Sequence, residues 1–161
     1  MSTTPPLGPP LLPLGTFRID REGTWRHEGQ EVTHPGVLQN LYANLRRDDQ
    51  GLHYLQVGPA QIPVDVEDAP FVVVRVAVER GPGHTPGGLR VHLSDGSAEE
   101  LAPEGLWIGP RDTPYCLVKA GRFVARLSLS AWLQLAPRVE EGSEGAALVV
   151  GGRRYAVPRR G

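Results

Sequence analysis

The spacing of apolar residues changes period repeatedly along this chain, and each change predicts an element. Thr16-Phe17-Arg18-Ile19-Asp20 alternates, Arg21-Glu22-Gly23 is a turn signal, and Thr24-Trp25-Arg26-His27 follows, so the segment reads as a hairpin. After a second turn at Glu28-Gly29-Gln30, Thr33-His34-Pro35 has the character of a helix N-cap with proline admitted to the first turn. Val37, Leu38, Leu41, Tyr42 and Leu45 then recur at helical spacing, and Arg46-Arg47 stand where cations favour a helix C-terminus. Gly51 ends that helix. Residues 52–57 and 61–66 flank Gly58-Pro59 as a further hairpin, in which Pro63 predicts an edge strand or a bulge. Residues 71–78 are the most β-branched run and begin apolar on both faces, which predicts a central strand.

The run 81–88, GPGHTPGG, breaks this strand and reads as a boundary between halves or a mobile flap. Beyond it, residues 89–93 and 98–102 read as strands about the Asp95-Gly96 turn, and Leu106-Trp107-Ile108 as a short apolar piece. Residues 115–118 and 122–127 flank Lys119-Ala120-Gly121 as a hairpin. A short helix follows from a Ser128 or Ser130 cap through Ala136 and stops at Pro137, and residues 147–157 form a tight hairpin about Gly151-Gly152. The predicted fold is α+β: mostly antiparallel β with two short helices, on a hairpin-helix-hairpin plan used over 16–66 and again over 114–158. The predicted organisation is a disordered Pro-rich tail at 1–14, an N-terminal α+β half at 15–82 and a C-terminal β-rich half at 83–161.

Composition supports this. Twenty glycines and 16 prolines among 161 residues favour short strands and many turns over long helices. A chain near this length buries roughly 70% of its unfolded surface, enough for one core or two small ones. The net charge of −1 provides no global attraction to nucleic acid or anionic membrane. Lys119 is the sole lysine, set in a turn, so neither a phosphate-loop lysine nor a Schiff-base lysine is in evidence. One cysteine, Cys116, excludes an internal disulfide and suits a reducing compartment. Residues 1–14 read as neither a signal peptide nor a spanning helix, so the expected location is the cytoplasm.

Gly23-Thr24-Trp25, Leu45-Arg46-Arg47 and above all Val64-Asp65-Val66-Glu67-Asp68-Ala69-Pro70-Phe71 resemble the bacterial family called domain of unknown function 1285, over most of 15–136. The resemblance implies a cytoplasmic protein of two related α+β halves, the second loosely like a pleckstrin-homology barrel. It also implies a nucleotide-derived ligand in a cleft between the halves and a role in signalling. Two departures stand out: Ala60-Gln61 occupy the positions of an expected Glu-Lys pair, and the segment from Gly109 to Tyr115 is compact where the family often carries an insertion.

Several residues could carry binding chemistry. Asp65, Glu67 and Asp68 are either a solvated, amide-capping turn or acceptors for a ligand's hydroxyls and amines; no nucleophile beside them marks acid–base catalysis. Trp25 and Trp107 could fill core or stack on a base. Arg75, inside the valine-rich strand, either faces solvent or needs a buried carboxylate. Arg111, between Pro110 and Pro114, could meet a phosphate with its planar fork or simply sit in an Asp-containing turn. The five histidines lack zinc-motif spacing, no serine sits in a nucleophile elbow, and Cys116 reads as packing, so no catalytic residue, metal or cofactor is predicted. The residues therefore predict a non-catalytic cleft lined by Trp25, Asp65, Glu67, Asp68, Arg75 and Arg111 that binds a small anionic ligand, nucleotide-derived as the resemblance implies. The alternative is a protein-interaction module offering an exposed edge strand from the C-terminal half.

Overall fold

The structure, a computed structural model, describes residues 16–80 and 86–161. The predicted tail at 1–14 and residues 81–85 of the predicted flap lie outside the described residues. The chain divides after Ala69 into two compact units, ahead of the boundary at 82/83 that the glycine-proline run predicts. The reason is that the whole valine-rich strand pairs within the second unit.

The first unit comprises β1 (Phe17–Ile19), β2 (Trp25–His27), β3 (Gln30–Glu31), α1 (Pro35–Asn44), β4 (Leu45–Arg47), β5 (His53–Val57) and β6 (Ala60–Val66). Its sheet order is β3-β2-β1-β6-β5-β4. Each set of three strands is an antiparallel meander, and the two meet through a parallel β1–β6 pair. Parallel neighbours require a crossover, which α1 provides. Its N-terminus forms as expected: the His34 ring Nδ1 accepts from the amides of Gly36 and Val37, and Pro35 opens the helix. Its end differs. Leu45 turns to extended geometry, and Arg46 and Arg47 pair with Tyr54 and His53 as strand, while the Arg46 guanidinium still donates to Ala43 O in the last helical turn at 2.9 Å. Pro63 sits in an interior strand yet costs no ladder bond to β1, because β1 starts opposite Val64 and leaves the earlier part of β6 unpaired on that side. Ile19, Trp25, Leu45 and Leu55 fill the core.

The second unit repeats this arrangement with β7 (Phe71–Arg80), β8 (Pro86–Leu93), β9 (Ala98–Glu100), β10 (Leu106–Ile108), β11 (Pro114–Val118) and β12 (Phe123–Leu127) in the order β10-β11-β12-β7-β8-β9. Reversed and renumbered from its own first strand, this is the order of the first sheet. The central parallel pairs also share a register: Phe17, Arg18 and Ile19 face Val64, Asp65 and Val66, while Phe71, Val72 and Val73 face Ala125, Arg126 and Leu127. In each copy the next amide closes the pair, Glu67 N donating to Ile19 O at 2.9 Å and Ser128 N to Val73 O at 3.0 Å. The fold is α+β and duplicated, but the second copy runs over 71–127, not 114–158. The helices are not equivalents, since a single 3-10 turn, Pro103–Gly105, occupies the place of α1 in the second copy.

After the second copy come α2 (Leu129–Leu135) and a three-stranded antiparallel meander, β13 (Val139–Gly142), β14 (Gly145–Val150) and β15 (Arg153–Ala156). Ser128 caps α2 by accepting from the Ala131 amide at 3.1 Å. Ala131 and Leu135 are buried, and the Gln134 side chain accepts from the Val76 amide of β7 at 2.7 Å. The chain end lies along β10: Ile108 N donates to Pro158 O and Arg160 N to Ile108 O, so Pro158–Arg160 occupies that sheet edge. Among the described residues no helix is long and apolar enough to cross a membrane.

Candidate functional site

The parallel register places Arg18 beside Asp65, and this determines what the acidic segment does. Arg18 Nη1 donates to Asp65 at 2.6 Å and Nη2 to Glu67 at 3.0 Å. Glu67 also accepts from the Arg21 amide at 3.1 Å, and the Arg21 guanidinium lies 3.6 Å from Asp68. The Arg18 guanidinium is held above its ordinary value, chiefly by the hydrogen bond to Glu67. All three predicted carboxylates are therefore engaged by arginines of the first unit.

The other predicted or considered positions fall as follows. Trp25 is 1% exposed, packed edge-on against Tyr42 at 5.5 Å, so its ring is core and has no face to offer a base. Its indole nitrogen is buried with no hydrogen-bond partner among the described residues. Arg75 faces solvent and lies 2.9 Å from His92 on the neighbouring strand, so it needs no buried carboxylate. Arg111 is exposed in a 3-10 turn with φ 59°, and the adjacent Asp112 pairs with Arg159 at 2.7 Å. Trp107 stacks on Tyr115 at 5.7 Å, with the Arg160 guanidinium 4.7 Å from its ring. Ala60 and Gln61 begin β6, and the Gln61 amide reaches Gln56. Cys116 is buried, and burial pushes its thiol up to about 12, which suits packing rather than reactivity. No group of three or more His, Cys, Asp or Glu among the described residues is placed to hold a metal.

Among the described residues, one concavity that combines apolar walls with polar groups lies within the second unit. Ile108, Trp132, Val139 and Val157 wall a pocket of about 290 Å³, with Asp112, Arg159, Glu141 and Glu144 at its polar positions. Its lining comes from β10, the 3-10 turn after it, α2, β13, the β13–β14 turn, the start of β14 and the chain end. Small-molecule sites are mostly apolar concavities with a few polar groups, from about 300 Å³ upward, so this one is near the lower limit of that range. Of the predicted residues only Arg111 adjoins it in sequence, through Asp112. Sequence periodicity could reveal Val139 and Glu141 as one face of a strand, but not that α2 and the chain end close over that face.

A duplicated α+β protein with a ligand-sized concavity in its second unit is the class these features define. The solved structures it resembles carry the same family name as the VEDAPF-centred motifs. A DUF1285 family protein from Silicibacter pomeroyi DSS-3 is 25% identical over 94% of this chain and 88% of that one, with a TM-score of 0.71. A DUF1285 family protein from Shewanella baltica OS155 is 20% identical over 77% of this chain and 92% of that one, with a TM-score of 0.61. No family model and no curated protein matches the sequence. The resemblance to the DUF1285 family holds, and the chain shares that family's fold.

Proposed function

We propose that this is a non-catalytic cytoplasmic protein that binds a nucleotide-derived small molecule in the pocket of its second unit and acts in signalling. The observation that supports this reading is the pocket itself: aliphatic walls, the part-buried Trp132 ring for an aromatic base, and carboxylates that accept from ring amines or ribose hydroxyls. The ligand would touch β10, α2, the β13–β14 turn and the chain end together. Its binding free energy would then favour one arrangement of these elements and so change the surface they present. Thermal-shift measurements on the full chain with nucleosides and their monophosphates test the proposal. At least one should raise the melting temperature, and Trp132→Ala should abolish that shift. A ligand-induced shift unchanged in Trp132→Ala overturns the placement.

The interaction-module reading retains one observation. Leu129 and Leu133, a helical turn apart on α2, are 72% and 61% exposed. The β10 edge does not serve that reading, because Pro158–Arg160 already pairs along it. A wild-type chain whose stability no nucleoside or nucleotide raises favours it over the ligand proposal.

A further inference from the structure

The charges of this pocket do not suit the anionic ligand that the sequence predicts. Asp112, Glu141 and Glu144 stand against Arg159 alone, and Arg159 is already neutralised by Asp112 at 2.7 Å. The side chains of Glu141 and Glu144 make no ion pair or hydrogen bond with any described residue. Glu140, between Val139 and Glu141 on β13, turns to the other face and pairs with Arg154. Alternation along β13 thus places one uncompensated carboxylate beside the apolar wall of Val139, and the β13–β14 turn adds a second. A phosphate entering here would meet two like charges with no free guanidinium in the lining. A positive group would gain both carboxylates, and the Trp132 ring could add a cation–π contact.

We infer that the pocket selects ring-bearing molecules that are positively charged, and that it discriminates against phosphate esters. This rests on the proposed seating of a ligand in the pocket and names its charge class. The test is calorimetric titration of the full chain at low salt with three probes that share one ring and differ at one position. They are 5′-amino-5′-deoxyadenosine, adenosine and adenosine 5′-monophosphate. The expected affinity order is cation, then neutral nucleoside, then phosphate ester. The first step should be roughly threefold to tenfold, the scale of partly exposed charge pairs. Added salt should compress the series. The double variant Glu141→Gln/Glu144→Gln removes charge at nearly constant volume from exposed positions. It should abolish the preference for the amine over adenosine, whatever it does to the affinity the two probes share. Equal or tighter binding of the monophosphate than of adenosine overturns the inference while leaving the pocket reading intact, as does an amine preference that survives the double variant. If none of the three binds the wild-type chain, the pocket reading itself fails.

Discussion

At Gly109 one missing carbon makes room for an aromatic stack. A Cβ there would lie 2.6 Å from Cε2 and 3.0 Å from Cδ2 of Tyr115, a ring that is 8% exposed and stacked on Trp107. Because the ring has neighbours on its other side, it cannot swing away without unstacking. Gly109→Ala is expected to destabilise the fold by about 1–3 kcal/mol, the usual cost of overpacking. Chemical denaturation checks this, and a change below about 0.5 kcal/mol would show that the stack yields freely. Trp25 illustrates the limits of reading single residues. An amphipathic ring in a strand suits core or ligand equally well, and the choice was made by Tyr42 of α1, which closes over it. The acidic trio is similar. Three carboxylates within four positions were legible, but of the arginines that engage them Arg18 lies on β1 and Arg21 in the turn after it, brought alongside by a parallel pairing that spacing does not announce.

At the scale of elements, α2 is fastened to β7 by a side chain as well as by packing. β7 changes register between Val73 and Arg75, and just beyond this irregularity the Val76 amide donates to Gln134. Gln134→Leu removes that acceptor and should cost about 1–3 kcal/mol, because the strand amide is left without its partner. The measurement is again equilibrium unfolding, supported by faster amide exchange at Val76. An unchanged exchange rate there would refute the fastening. Helix starts, turns and hairpins were largely legible, since His34-Pro35, Ser128 and the glycine-containing turns act locally. The strand formed by Leu45-Arg46-Arg47 was not. Its sequence suits a helix terminus, and only the adjacent β5 makes the extended alternative better.

Across the whole molecule, the two units should respond differently to mild acid. In the first unit, burial and the nearby Arg47 hold the His53 imidazole below its ordinary value of 6.5, against a smaller opposing pull from Asp48. A depressed histidine binds its proton less readily folded than unfolded. The unfolded chain therefore takes up more protons as pH falls through 6.5, and stability of that unit declines until the folded ring itself protonates. Asp20 in the first unit and Asp95 in the second are both held below 3.8. Burial pushes each up, but amide, hydroxyl and cationic partners outweigh it: Thr24, Glu22 and Arg26 for Asp20, and Lys119 and Ser97 for Asp95. Their contributions are present above that value and are lost as pH falls below it. Hydrogen exchange corrected for intrinsic rates should show the first unit loosening just below pH 6.5 while the second holds, with both weakening below about pH 4. His53→Gln should flatten the first response. Equal loosening of both units near pH 6 would contradict this assignment.

The sequence alone determined whatever depends on near neighbours: α+β class, most strand and helix positions, the helix caps, and motifs specific enough to point to a family. It also suggested a duplication, but aligned the copies wrongly, because it matched helices whereas the fold repeats sheets. The tertiary structure decided the rest. It set the identical sheet orders of 17–66 and 71–127, the burial of Trp25 and the pairing of the acidic segment. It also assembled a pocket from five separate stretches of the second unit. Strand order, parallel register and the meeting of distant segments are contacts between residues far apart in the chain. No local pattern encodes which of them will be neighbours.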